Sequence, residues 1–162
     1  MTFVVERPTG TKAEIYRELA LQARGLFAGE RDPIANAANL TSLIFNGLDD
    51  LNWAGFYFLK DGELVLGPFQ GKPACVRIAM GKGVCGTAAA SRETLVVPDV
   101  DAFPGHIACD VASQSEIVVP LVKGGHLLGV LDIDSPKRSR FTEEDVAGME
   151  ALAALWLDAS DF

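Results

Sequence analysis

Apolar residues near the amino terminus recur at helical spacing. The segment Lys12–Phe27 is rich in Ala, Leu, Glu and Arg, and Ile15, Leu19 and Leu26 are spaced for one face of a helix. We therefore predict a first helix over this segment.

A second helix is marked by the residues at its ends. Asp32 is a good N-cap residue, Pro33 suits the first helical position, and Gly47 can close the helix in a left-handed conformation. The apolar stripe of this helix is predicted to contain Ile34, Ala38, Thr41 and Phe45.

From Asn52 onwards the pattern changes to that of β-strands. Two predicted hairpins carry most of them, one turning at Asp61–Gly62 and one at Lys123–His126. The predicted strands are 53–59, 63–66, 74–79, 94–97, 117–122 and 127–134. A last helix begins at Thr142, which approximates a capping box with Asp145, and runs to about residue 157.

The order of these elements defines the fold class. Helices come first, several antiparallel strands follow, and one helix comes last, which is typical of an α+β domain. We expect a central, mainly antiparallel sheet with the N-terminal helices and the C-terminal helix packed on one face. No linker or repeat divides the 162 residues, so we predict a single domain over 1–162.

Charge and hydropathy exclude several classes of partner. The formal net charge of −8 argues against nucleic acid, because affinity for phosphates comes mostly from clustered Lys and Arg. No apolar run of the sequence approaches the roughly 18–20 residues that a membrane span needs. The start of the chain has no basic region ahead of a long apolar stretch, so we expect no signal peptide and a soluble, cytoplasmic protein.

Three cysteines carry the most reactive side chains of the sequence. Cys75 is predicted in a strand, Cys85 in a Gly-rich loop, and Cys109 in a long irregular loop of the kind that is often functional. Burial as a small hydrophobic residue is the alternative for Cys75 and Cys85. A zinc site made of the cysteines and His106 is disfavoured, because the cysteine spacings of 10 and 24 residues include no C-x-x-C pair. We predict no metal.

The Gly-rich segment 81–86 matches G-x-G-x-x-G by letter. A dinucleotide site needs a strand before this motif and a full helix after it. Only seven residues separate Gly86 from the next predicted strand at Thr94, so we predict no nucleotide cofactor there.

Acidic residues accompany the apolar strands near the end of the chain. Asp132 and Asp134 are two residues apart and project from one face of a strand, and Glu116 directly precedes an apolar run. Strand-end acids facing water are the alternative, but two carboxyl groups on one face suggest a site that binds a cation or keeps one carboxyl protonated. Trp53 and Tyr57 also share a strand face, either as core residues or as the wall of a pocket for an ammonium or thioether group.

Several blocks of the sequence follow one another in an order that resembles a known family. They are 52–57, 66–75, 81–87, 97–100, 103–110, 113–120 and 131–136. Over nearly its whole length the chain resembles the free methionine-(R)-sulfoxide reductase family, which is built on a GAF domain. The resemblance implies a GAF-like fold, reduction of free L-methionine-(R)-sulfoxide with electrons from thioredoxin, and a homodimer. We expect no bound cofactor.

The same resemblance implies a role for each candidate site residue. Cys109 is the implied nucleophile, Cys75 the main resolving cysteine, and Cys85 a second participant in disulfide exchange. The implied substrate-binding residues are Glu116, Asp132 and Asp134 for the sulfoxide and the amino-acid head group, and Trp53 and Tyr57 around the methyl end.

The implied chemistry suits these residue types. A thiolate attacks the sulfoxide sulfur, a neutral carboxyl protonates the departing oxygen, and the sulfenic acid formed on Cys109 condenses with a second thiol. Three nearby carboxylates would reduce the thiolate fraction of Cys109, and we expect the substrate ammonium to neutralise part of that charge. Which acid donates the proton, and whether Cys75 or Cys85 resolves first, stay open at this point. A non-catalytic GAF-type sensor is the alternative function.

Overall fold

The computed structural model describes residues 3–162 and places six strands in one sheet. The strands are β1 (Trp53–Lys60), β2 (Glu63–Gly71), β3 (Arg77–Ala79), β4 (Leu95–Val97), β5 (Ser115–Lys123) and β6 (His126–Ser135). The helices are α1 (Lys12–Phe27), α2 (Pro33–Gly47), α3 (Gly83–Ser91) and α4 (Glu143–Ala159). All neighbouring strands are antiparallel, in the order β3-β2-β1-β6-β5-β4, which confirms the predicted α+β class.

Three helices form a layer on one face of the sheet. Helices α2 and α4 pack against the strands, and α1 packs on α2 and α4. The hydrophobic core between this layer and the sheet includes Phe56, Ile133 and Trp156, none of which has exposed surface. The prediction that the N-terminal helices and the C-terminal helix share one face is confirmed.

Local sequence signals set the ends of these helices. Asp32 accepts hydrogen bonds from the amides of Ile34 and Ala35, as expected of an N-cap residue. The capping box of Thr142 and Asp145 is present at the start of α4. None of the helices within residues 3–162 has the length and apolar character that crossing a membrane requires.

The predicted apolar stripe of α2 was wrong at Ile34 and Ala38, which are exposed. Its other two members do face the core, since Thr41 is buried and Phe45 is half-buried and packs against the core. The buried positions of this helix are Asn36, Ala37, Leu40, Thr41, Leu43, Ile44 and Gly47. The helix lies between the sheet and α1, so it buries a wider face than one stripe. Gly47 stays helical and allows close packing of the two helices, because a Cβ there would lie 2.6 Å from Cδ2 of Leu19.

The opposite face of the sheet carries a second hydrophobic cluster and α3, which was not predicted. This helix packs on β5 and β6 and begins at Gly83, so the prediction of a loop around Cys85 was wrong. The helix has no side-chain cap at Lys82, and it carries small or apolar residues on all its faces. Neither a cap nor a periodic pattern therefore marks it in the sequence.

Strand β3 is shorter than predicted. It begins at Arg77 rather than at Ala74, and Cys75 therefore lies in the loop before the strand and not within it. This loop closes one side of the pocket described below.

Candidate active site

Strand register brings the three predicted acids together. In the ladder between β5 and β6, Glu116 is opposite Asp134, and Val118 is opposite Asp132. Val118 belongs to the hydrophobic cluster on the α3 side of the sheet. Because side chains alternate along a strand, all three acids project to that same side.

These three residues, the acid cluster, are deeply buried and do not face water. Glu116, Asp132 and Asp134 have 5%, 6% and 9% of their surface exposed. Oδ1 of Asp132 is buried without a hydrogen-bond partner among the described residues. A buried acceptor in this condition marks a place where the donor of a ligand would fit.

Burial raises the pKa of every acid in the cluster, and repulsion adds to the effect at Glu116 and Asp134. Burial raises the pKa of Glu116 well above its usual range, and the charges of Asp132 and Asp134 add to this effect. Burial likewise raises the pKa of Asp134, followed by repulsion from Asp132 and Asp110. Burial also raises the pKa of Asp132, but hydrogen bonds with Glu116 and Cys85 oppose this rise. Asp132 is therefore the acid of the three whose ionised form is disfavoured least, while the surroundings of Glu116 and Asp134 favour their neutral forms more strongly.

Cys85 contacts the acid cluster from the first turn of α3. Its Sγ atom lies 3.8 Å from Oε1 of Glu116, and it is the cysteine that is free of a disulfide. Burial, and then the charges of Asp132, Glu116 and Asp134, raise the pKa of the Cys85 thiol well above its usual range. The ionised thiolate is therefore disfavoured in this pocket, and the thiol donates a hydrogen bond to Glu116.

A disulfide bond joins the other two cysteines. Cys75 lies in the loop before β3 and Cys109 in the long loop before β5, and their Cα atoms are 5.6 Å apart. Cys109 lines the same pocket as the acid cluster. A disulfide between two half-buried cysteines beside a pocket is an arrangement that suits reversible thiol chemistry.

Trp53 and Tyr57 form an aromatic wall of this pocket, with their ring centroids 5.8 Å apart. The Tyr57 hydroxyl donates to the carbonyl oxygen of Cys75 at 2.9 Å, and Nε1 of Trp53 donates to the carbonyl oxygen of Lys72 at 3.1 Å. Gly55 leaves room for the indole, because a Cβ there would lie 2.4 Å from Cη2 of Trp53. The wall thus shapes the pocket and also holds the loop that carries Cys75.

The residues that anchor the Cys109 loop were not predicted as site residues. Nδ2 of Asn52 donates to Oδ2 of Asp110 at 3.1 Å and to Oγ of Ser113 at 3.0 Å. The amide of Ala112 also donates to Asp110, and this hydrogen bond is the main cause that lowers the pKa of Asp110. The sequence did offer one indication of this role, because Asn52, Asp110 and Ser113 all belong to the sequence blocks that carry the family resemblance.

His106 reaches the acid cluster from the Cys109 loop. Its Nε2 atom lies 3.8 Å from Oε2 of Glu116, and its side chain is 15% exposed. Burial lowers the pKa of His106, and the charge of Asp101 acts in the opposite direction. From the sequence, His106 enters only as a member of the disfavoured zinc site.

Among residues 3–162 one group offers several possible metal ligands. The ligand atoms of Cys85, Glu116 and Asp132 lie within 4.8 Å of one another. Three ligands fall short of a closed structural zinc site, and an ammonium group can satisfy the same acids. Two ligands of the zinc site weighed from the sequence, Cys75 and Cys109, are bonded to each other in this structure.

The structure brings the candidate site residues together. Seven of them line one pocket: Trp53, Tyr57, Cys85, Cys109, Glu116, Asp132 and Asp134. The eighth, Cys75, is bonded to Cys109. Lys82, His106, Asp110 and Ser113 line the same pocket and were not predicted as part of it.

The fold agrees with a known class of domain. The family model described as "GAF domain" matches residues 14–155, which is most of the chain. The protein is therefore a GAF-domain protein, as the resemblance of its sequence blocks implied.

Similar proteins define the family within that class. The free methionine-R-sulfoxide reductase of Escherichia coli is 54% identical over 143 residues, which cover 88% of this chain and 87% of that protein. The free methionine-R-sulfoxide reductase of Saccharomyces cerevisiae is 48% identical and covers 89% and 84% of the two chains. The X-ray structure of the Neisseria meningitidis enzyme of that name, in complex with its substrate, gives a TM-score of 0.92 at 43% identity and covers 96% and 94%. The chain belongs to the free methionine-R-sulfoxide reductase family, a family of oxidoreductases.

Proposed function

We propose that this protein reduces free L-methionine-(R)-sulfoxide to L-methionine, with Cys109 as the nucleophile. The observation that carries the proposal is the Cys75–Cys109 disulfide beside a pocket with three buried acids and an aromatic wall. The relatives named free methionine-R-sulfoxide reductase support the choice of substrate and of epimer.

The acid cluster recognises the head group of the substrate. Asp132 carries the negative charge of the cluster and has an oxygen without a partner, so it receives the ammonium group together with Asp134. Trp53 and Tyr57 pack against the methyl and sulfur end. A methionine residue within a peptide has no ammonium group, so it would leave Asp132 buried and unpaired, and this excludes it.

Glu116 is the proton donor in this proposal. Burial raises its pKa well above the usual range, which favours the neutral carboxyl group, the state that can protonate a departing oxygen. Neutral Glu116 and Asp134 also place less negative charge beside the Cys109 thiolate than three ionised acids would. The thiolate is thereby less disfavoured than the sequence alone suggests.

The reaction has two steps on the enzyme. The Cys109 thiolate attacks the sulfoxide sulfur while Glu116 protonates the oxygen, which moves to the Cys109 sulfur as a sulfenic acid; methionine is released and Glu116 is left as a carboxylate. The Cys75 thiol then attacks the sulfenic sulfur, which forms the disulfide and releases water. The cysteine sulfurs lose the two electrons that the sulfoxide gains.

Cys75 is the resolving cysteine of this scheme because it is the residue bonded to Cys109. Cys85 donates a hydrogen bond to Glu116, and its part in disulfide exchange stays a prediction. We further propose that thioredoxin reduces the disulfide after each cycle, in the cytoplasm. The homodimer and the single domain over 1–162 also stay predictions.

The test is turnover of the two sulfoxide epimers. The reduced protein is incubated with free L-methionine sulfoxide and dithiothreitol, and both epimers and methionine are followed by chromatography. We expect loss of the R epimer alone, no activity in Cys109→Ser, and full activity in the control Ala108→Ser at an exposed neighbouring position. If the folded, reduced wild-type protein consumes neither epimer, the reductase proposal is wrong and a ligand-binding GAF module becomes the leading account.

A further inference from the structure

His106 is the residue that connects the buried proton donor with the surface. The Glu116 carboxyl has one oxygen 3.8 Å from the Cys85 thiol and the other 3.8 Å from Nε2 of His106. Glu116 itself is 5% exposed, whereas the His106 side chain is 15% exposed. One side of the imidazole therefore faces the acid cluster while part of the ring reaches solvent.

The reaction leaves Glu116 in need of a proton. Each sulfoxide that is reduced takes one proton from the Glu116 carboxyl, and the water released in the next step carries it away. The thiol proton of Cys75 supplies the second proton of that water. Cys109, which the reductant returns as a thiol, releases one proton to solvent when it becomes the thiolate again, so the cycle balances as a whole only if Glu116 takes one proton back up. A buried carboxylate must therefore be reprotonated from solvent before the next substrate is bound.

We propose that His106 transfers protons from solvent to Glu116 between turnovers, an inference that rests on the proposed function. An imidazole can donate a proton from one nitrogen and accept one on the other, so it passes a proton on without keeping a charge. His106 acts through Glu116 and does not contact the reacting atoms itself.

The surroundings of the imidazole are consistent with this role. Burial lowers the pKa of His106, so the ring is neutral near neutral pH and both nitrogens are available for transfer. The charged and titratable groups around it are Asp101 before the loop, Glu116 on β5, and Lys82 and Asp110 on the lining of the same pocket. Arg138 lies 3.7 Å from Asp101. Its positive charge reduces the effect by which the Asp101 carboxylate raises the pKa of His106.

The chain offers a matched control for a histidine variant. It has two histidines, and His126 is exposed at the turn between β5 and β6, outside the pocket. The pair His106→Gln and His126→Gln therefore separates the loss of this histidine from the loss of any histidine.

The experiment compares the first turnover with those that follow. Each reduced variant is mixed with excess L-methionine-(R)-sulfoxide and saturating dithiothreitol, and methionine is measured through the first cycle and then in the steady state. For His106→Gln we expect a normal first turnover, because Glu116 starts protonated, followed by a steady-state kcat lower by about tenfold or more with an unchanged KM. Added imidazole should restore kcat, and His126→Gln should behave as wild type.

Two results would overturn the inference while the proposed function stands. One is a His106→Gln enzyme with wild-type kcat. The other is an enzyme whose first turnover slows as much as its steady state and does not respond to imidazole, since this would show a structural role. Absence of methionine from both wild type and His126→Gln would instead refute the proposed function, and the proton transfer with it.

Discussion

The hydroxyl group of Tyr57 donates a hydrogen bond to the carbonyl oxygen of Cys75 at 2.9 Å. One side chain thus belongs both to the pocket wall and to the support of the proposed resolving cysteine. The second tyrosine of the chain, Tyr16, lies in the helical layer and donates to Asp145 at 2.7 Å. Variants of the two tyrosines can therefore be compared to separate an effect on the reaction rate from an effect on the free energy of unfolding.

Removing the Tyr57 hydroxyl should slow the formation of the disulfide. In Tyr57→Phe the loop that carries Cys75 loses an anchor of about 0.5–1.5 kcal/mol, and we expect disulfide formation about two- to tenfold slower after the first turnover. Tyr16→Phe should keep the wild-type rate but lose about 1–3 kcal/mol of unfolding free energy, because Asp145 is buried. Acid quenching followed by alkylation measures the rate, and equal rates in the two variants would count against the support role.

Removing the charge of Asp132 should impair recognition of the substrate ammonium. Breaking a buried charge pair costs about 2–5 kcal/mol, so kcat/KM of Asp132→Asn should fall by about 30-fold or more. Asp158→Asn, at an exposed position of α4, should leave kcat/KM unchanged.

An analogue without the amino group makes the Asp132 test specific. Wild type should strongly prefer methionine sulfoxide over 4-(methylsulfinyl)butanoate, which lacks the ammonium. Asp132→Asn should narrow that preference. A variant that loses both substrates equally would show that Asp132 does not bind the ammonium.

The raised pKa of Glu116 should make stability depend on pH. Folding raises this pKa above its ordinary value of 4.5, so the contribution of Glu116 to stability is full below that value and is lost as the pH rises toward the folded pKa. The loss for one group is at most about 1.4 kcal/mol per pH unit. Glu116→Gln removes it, so this variant should gain stability relative to wild type as the pH increases.

Urea unfolding of the oxidised protein between about pH 5 and pH 8 measures this effect over the range in which acids with raised pKa titrate. Glu93→Gln serves as the control, because Glu93 is exposed. Parallel pH dependences for wild type and Glu116→Gln would contradict a neutral Glu116 in the folded protein.

The strands and the acid cluster could be predicted because a strand has a simple period. The two-residue spacing of Asp132 and Asp134 places both on one face, and their contact with Glu116 needs only that β5 and β6 form a hairpin. Helix ends with strong caps, such as Asp32 and Thr142, could also be predicted, because a capping side chain bonds to backbone amides only two or three residues away.

The parts that were missed depend on tertiary contacts. Helix α3 carries neither a side-chain cap nor an amphipathic pattern, and its packing on the sheet stabilises it. The distance from His106 to Glu116, and the hydrogen bonds of Asn52 to the Cys109 loop, depend on the path of that irregular loop. No periodic pattern of the sequence encodes such a path.

The two tryptophans belong to the hydrophobic clusters on opposite faces of the sheet. Trp53 lines the pocket, whereas Trp156 is fully buried in the helical layer. Trp53→Phe should raise KM severalfold, since an aromatic contact contributes about 0.5–1.5 kcal/mol. It should also lower the free energy of unfolding by about 1 kcal/mol, because the buried indole loses its hydrogen bond to the carbonyl oxygen of Lys72. Trp156→Phe should lower the free energy of unfolding by about 1 kcal/mol or more through the cavity it leaves, with an unchanged KM. A higher KM in both variants would show that Trp53 has no special part in binding.

The most direct test of the account is a single turnover without reductant. Fully reduced protein is given excess L-methionine-(R)-sulfoxide, methionine is counted per chain, and the disulfide is located by peptide mapping. The account predicts one methionine per chain, a bond between Cys75 and Cys109, and a free thiol at Cys85. Methionine formed by Cys109→Ser, or a wild-type disulfide that omits Cys109, would contradict it.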